Sequence, residues 1–250
     1  MAAALATPIV AKTLPGARFD HLFFSVAAIL VLVSVFIGFA PTYFLAGVFR
    51  AHLPSTLIHF HGAIFSCWIL LLVLQTSFVS AHRVDIHRRV GLFGFTLACL
   101  MVILGLLAGA NLLVRNVAPP GVDAKTFYVI PFSEMIMFPI LVFLAYRARK
   151  HPAAHKRFIL IATVSLLGAA FARFHVFFLY KRILPALFAS YCFLLLLALY
   201  DLWSTHKLHR ATSLGSILVI GVGLLRFPFA HTAVWQIFAA WVQSRARWLG

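Results

Sequence analysis

Residues 57–80 read LIHFHGAIFSCWILLLVLQTSFVS, a run with no Asp, Glu, Lys or Arg. A helix of this length crosses the roughly 30 Å hydrocarbon core of a bilayer, where only a helix satisfies its own backbone hydrogen bonds within one segment. A closed barrel would need short alternating segments, and this run is continuous. Comparable runs at 22–47, 90–113, 127–146, 158–180, 185–203 and 213–241 bring the expected spans to seven. Composition agrees: the chain is 63% hydrophobic and 10% charged, with a mean hydropathy of +1.02, far from the make-up of soluble domains. The expected fold class is all-α integral membrane, a bundle of about seven transmembrane helices.

Residues 1–20 are apolar but interrupted by Pro8, Lys12, Pro15 and Arg18, so they lack the clean apolar core of a signal peptide and read as an N-terminal tail. Residues 21–250 read as a single transmembrane domain, because the longest stretch between spans, 114–126, is too short to bury a core of its own.

The formal net charge of +16 would suggest nucleic acid in a soluble protein. Here its distribution points instead to membrane topology and to anionic lipid headgroups as partners, and no nucleic-acid partner is expected. The tail and the second, fourth and sixth connections hold Lys12, Arg18, Arg83, Arg88, Arg89, Arg147, Arg149, Lys150, Lys156, Arg157, Lys207 and Arg210. The opposite side holds Arg50, Arg115, Lys125, Lys181, Arg182, Arg245 and Arg247. The positive-inside rule then places the N-terminus of the multi-pass chain in the cytoplasm. Cys67, Cys99 and Cys192 fall inside spans and read as buried small apolar residues.

The twelve histidines carry the functional signal, since an ionisable side chain in a span usually faces the protein interior and often marks a site. One group lies toward the outer face. The second span opens with His59-Phe60-His61-Gly62, Ser133 and Glu134 lie about 10 Å down the fourth at ~1.5 Å per residue, and the fifth carries Arg173 and His175. The seventh carries Arg226 near mid-span and His231 above it. Glu134 is expected to pair with Arg173 as a structural clasp, since either charge alone in hydrocarbon would be costly. His59, His61, His175 and His231 are candidate ligands for haem b or a transition metal ion, because neutral imidazole suits Zn, Cu and Fe. His61, Trp68, Gln75 and His82 recur every seven residues and form a stripe expected to face other helices.

A second group reads as three related connections. His82 and His87 precede Arg88 and Arg89, His151 and His155 precede Lys156 and Arg157, and His206 and His209 precede Arg210. Histidine boxes that hold two irons in membrane desaturases include adjacent His-His pairs, which are absent here. Contact with lipid phosphate at the interface is the expectation for these clusters.

The motifs His59-Phe60-His61-Gly62, His87-Arg88-Arg89-Val90-Gly91 and His155-Lys156-Arg157 followed by Arg173 resemble those of a group of uncharacterised bacterial multi-pass membrane proteins, over about residues 20–180. That resemblance implies the fold class and a bacterial inner membrane, with no established activity. Histidines near helix ends in a small bundle are more distantly similar to b-type cytochromes and to the membrane proteins that assist cytochrome oxidase assembly. Two functional classes follow, the first the favoured expectation and the second its alternative. One is a redox or respiratory-assembly protein with haem b or a metal near the outer face, acting beside a respiratory or other membrane complex. The other is a non-redox small transporter or structural subunit whose buried charges serve packing or proton transfer. Nothing in the sequence decides whether the chain is an enzyme.

Overall fold

The computed structural model describes residues 19–52 and 55–249. The described residues fold into helices that include seven long and apolar enough to cross a membrane. The chain is therefore a multi-pass membrane protein by helix length and composition. Its helices are α1 (Asp20–Phe39), α2 (Thr56–Ser80), α3 (Val84–Val114), α4 (Ala124–Arg147), α5 (Pro152–Val164), α6 (Gly168–Phe171), α7 (Ile183–Thr205), α8 (Arg210–Ala230) and α9 (Ala233–Arg245). A π-helical turn, Ala40–Phe44, extends α1, so that Asp20–Phe44 makes the first span.

The short connections after α2, α4 and α7 all lie at one end, here called the histidine-loop end. His21 at the start of α1 meets His82, and His87 at the start of α3 meets His155 at the start of α5. Two of the three connections use a left-handed residue, His82 at φ 59° and His206 at φ 56°, to stop a helix and reverse the chain.

The helices are apolar on every side. Val31, Met101, Phe138, Leu141, Ile161 and Leu197 are sealed in the core, while Leu22, Leu70, Ile103, Phe143, Leu195 and Ile217 stand exposed on the bundle surface. Such a surface suits lipid and would be untenable in water. The three cysteines are all exposed as well, so they face lipid rather than the core expected from their place within spans. Membership of a span says nothing about which way a side chain points.

Two spans depart from the expected pattern. The fifth is not a straight helix over 158–180. It begins at Pro152, tightens at Ser165–Leu167 through i→i+3 bonds such as Leu166 N–H to the Thr163 carbonyl at 3.1 Å, resumes briefly as α6 and ends at Phe171. It is the most buried of the seven spans, as irregular backbone at membrane depth requires. Gly38 of α1 packs on the Ala170 backbone, where any Cβ would meet the Ala170 carbonyl at 2.5 Å. The seventh expected span, 213–241, is two helices. Pro228 closes α8, His231 caps its end, and the Thr232 hydroxyl accepts from Trp235 N–H at 3.3 Å to start α9. The α9 helix folds back on α3 and α4, donating from Trp235 Nε1 to the Lys125 carbonyl at 2.8 Å and from Gln243 to the Leu113 carbonyl at 3.0 Å.

Candidate functional site

The polar interior is organised by α8, which packs on α4, α5 and α7. Its inward face carries Thr212, Ser216, Val219, Gly223 and Arg226, spaced by three or four residues, so they line one side of the helix. Gly223 lies under the Tyr191 hydroxyl of α7, and a side chain there would collide with it.

At the histidine-loop end this face meets a buried carboxylate. Asp201, with no exposed side-chain surface, accepts from Arg157 Nε at 3.0 Å and Nη2 at 2.5 Å, from the Thr212 hydroxyl at 2.5 Å and from His209 N–H at 3.1 Å. Arg157 Nη1 also donates to the Ala153 carbonyl at 2.7 Å. Beside it, Lys156 is ion-paired with Asp20, which also accepts from the Tyr200 hydroxyl at 2.9 Å. These contacts tie α1, α5, α7 and α8 together. They correct the expectation that Lys156 and Arg157 serve as lipid-facing basic residues. Both engage carboxylates from distant helices, and Arg157 is 4% exposed.

At the other end of the same face Arg226 donates to Glu134 at 3.3 Å. The expected Glu134–Arg173 clasp is thus replaced by Glu134–Arg226. The depth argument assumed an unbroken fifth helix, whereas Arg173 lies beyond α6, with its guanidinium 4.5 Å from the Phe39 ring of α1 and Nη1 donating to the Ala169 carbonyl at 2.6 Å. Between the two ion pairs the Ser216 hydroxyl is buried without a partner and the Tyr191 hydroxyl lies 3.4 Å from the Val219 carbonyl.

The expected ligand layer is dispersed. His59 is exposed, 5.6 Å from the Tyr43 ring, His175 is exposed and stacks on Tyr180 at 4.7 Å, and His231 is exposed at the end of α8. Only His61 is partly buried, against Phe65 at 4.1 Å, with Nδ1 buried and unpartnered. Among the described residues no three His, Cys, Asp or Glu side chains form a group that could hold a metal ion.

The stripe on α2 is inward where it matters. Trp68 is buried, its Nε1 donates to the Thr163 hydroxyl at 3.1 Å, and its ring meets Phe138 edge-on. Gln75 Nε2 donates to the His87 carbonyl at 3.2 Å, while His82 has left the helix and is exposed.

The histidine loops divide their roles. His87 and His155 lie edge to face with ring centroids 6.3 Å apart, and His155 Nδ1 is 2.8 Å from the Ala145 carbonyl, to which it donates. His151 precedes α5 and is exposed, as is His206. His209 caps α8, its Nδ1 accepting from Ala211 N–H at 3.1 Å, and burial together with the Arg157 charge lowers its pKa. Asp201 and Thr212 were missed in the sequence. The only available signal was a lone aspartate inside an apolar span, which in membrane segments usually faces a partner. No protein-family model, curated protein or solved structure matches the chain.

Proposed function

We propose that this chain is a carrier that moves protons across the membrane along the inward face of α8. The observation that carries the reading is the placement of two buried carboxylates, Asp201 and Glu134, at opposite ends of that face. Thr212 and Arg226, which touch them, are 14 positions apart, about 21 Å along a helix and most of the hydrocarbon thickness. Each carboxylate is held by a guanidinium, which has donors but no acceptor, so the carboxylate is the member with lone pairs to take a proton from a neighbour. Ser216 and Tyr191 supply hydroxyls between the ends, and waters bridging wider gaps find a partner in the orphaned Ser216 oxygen. The tightened turn within the buried fifth span adds support, since interrupted helices inside a bundle are where many carriers build their sites. The histidine-loop end faces the cytoplasm of a bacterial inner membrane in this reading, from its excess of Lys and Arg. Dispersion of His59, His175 and His231 on the surface favours this class over a haem or metal centre at the opposite end.

The test is proton flux into vesicles containing the purified full chain and a trapped pH dye, driven by a potassium diffusion potential. Asp201→Asn, Glu134→Gln and Ser216→Ala should each lower the flux, and Ser213→Ala, off the stripe, should not. Flux equal to that of protein-free vesicles, or flux indifferent to all three replacements, overturns the reading and leaves the ion pairs as helix clasps.

A further inference from the structure

We infer that Arg173 and His61 form a binding site for an oxyanion, a phosphate or carboxylate group, at the end of the bundle opposite the histidine loops. The inference starts from a census of negative charge. The chain has five acidic side chains, and each is engaged. Asp20 binds Lys156 and Tyr200, and Asp85 binds Arg83. Asp123 caps α4 through Lys125 N–H and Thr126 N–H, Glu134 binds Arg226, and Asp201 binds Arg157. No acidic side chain is left for Arg173.

Arg173 is partly buried and has one hydrogen bond among the described residues, from Nη1 to the Ala169 carbonyl. A guanidinium carries five N–H donors in a planar fork that fits carboxylate and phosphate oxygens in pairs. The fork is held in place: the Phe39 ring faces it at 4.5 Å, and the close approach of Gly38 to Ala170 locks α1 against α6 just before it. His61 flanks the same turn of α1: its neighbour Gly62 lies against the Tyr43 ring, four residues beyond the Phe39 that faces Arg173, and His61 Nδ1 is buried without a partner. Among the described residues, one cationic fork without a counterion and one unpaired imidazole nitrogen therefore border the same turn. The π-helical turn Ala40–Phe44 follows Phe39 directly and is pinned by the Tyr43 hydroxyl donating to the His59 carbonyl at 3.1 Å, and such turns recur at functional sites. The ligand chemistry is shared by a lipid phosphodiester and a free phosphate, and the site stands whether or not α8 conducts protons.

Two arms separate those sources. In the first, inorganic phosphate is titrated by calorimetry into the full chain, delipidated in neutral detergent. In the second, the chain in nanodiscs of phosphatidylcholine with or without phosphatidylglycerol is released and counted for bound lipid by native mass spectrometry. Saturable phosphate binding assigns a soluble anion, and retention of phosphatidylglycerol over phosphatidylcholine assigns a headgroup. In whichever arm binds, Arg173→Gln should weaken binding roughly tenfold or more, by loss of a charge-assisted paired contact. Arg173→Lys, which keeps the charge and protects the fold but lacks the fork, should fall between, and Lys181→Gln should match wild type. Binding unchanged in Arg173→Gln, an equal loss in Lys181→Gln, or no binding in either arm overturns the inference.

Discussion

Removing Asp201 should be among the most destabilising single changes available to this chain. Asp201→Ala deletes the acceptor of four hydrogen bonds, two from Arg157 and one each from Thr212 and His209, at a position with no exposed side-chain surface. Arg157, 4% exposed, would keep its charge with only the Ala153 carbonyl for company. Breaking a buried pair from one side costs about 3–5 kcal/mol, most of it the stranded charge. Thr212→Val removes one hydrogen bond to a charged group and should cost about 1.5–3 kcal/mol. Arg157→Met combined with Asp201→Leu leaves no charge to strand and should recover a large part of the loss, with a coupling energy of about 2 kcal/mol. Unfolding in mixed micelles of dodecylmaltoside and dodecyl sulfate, followed by circular dichroism, measures these three variants and the two single replacements of the cycle. Replacing exposed Arg83, paired with Asp85 at the surface, is the control and should leave the midpoint in place. Strictly additive losses in the cycle, or a loss below about 1 kcal/mol for Asp201→Ala, would refute the reasoning.

The same cycle at the other end should couple Glu134 to Arg226 and not to Arg173. Arg226→Met with Glu134→Leu should recover stability, while Arg173→Met with Glu134→Leu should be additive to within about 0.5 kcal/mol. Stability should also depend on pH through His209. Its neutral Nδ1 accepts the first-turn N–H of α8, and burial followed by the Arg157 charge holds its folded pKa below the ordinary value. The unfolded chain therefore binds the proton first, so this contribution is present above about pH 6.5 and is lost as pH falls from there through the depressed folded value. His209→Asn, which caps at any pH, should flatten the thermal midpoint in that window, and an unchanged pH slope would count against the cap. Reporter fusions in the connections around Pro119 and Pro152 should give opposite signals, cytoplasmic at Pro152. Equal signals would break the seven-span topology.

The sequence alone determined how many spans there are, because spanning depends on length and apolarity, which are local properties of a segment, but it misplaced the ends of the fifth and the seventh. It also placed the three histidine pairs between spans and Trp68 on an inward face of α2. It did not determine partners. Arg157 and Asp201 are 44 positions apart and Glu134 and Arg226 are 92, and pairing at such separation depends on how each helix is rotated about its axis. Helices that are apolar all round give no stripe from which to read that rotation, and the exposed cysteines were misplaced for the same reason. The expected Glu134–Arg173 pair failed on backbone geometry: the turn at Ser165–Leu167 and the end of α6 at Phe171 carry Arg173 against α1. Tertiary packing alone chose Arg226 for Glu134, because α8 is the helix that lies against α4 at that depth, and a buried carboxylate takes whichever cation its neighbours bring within reach.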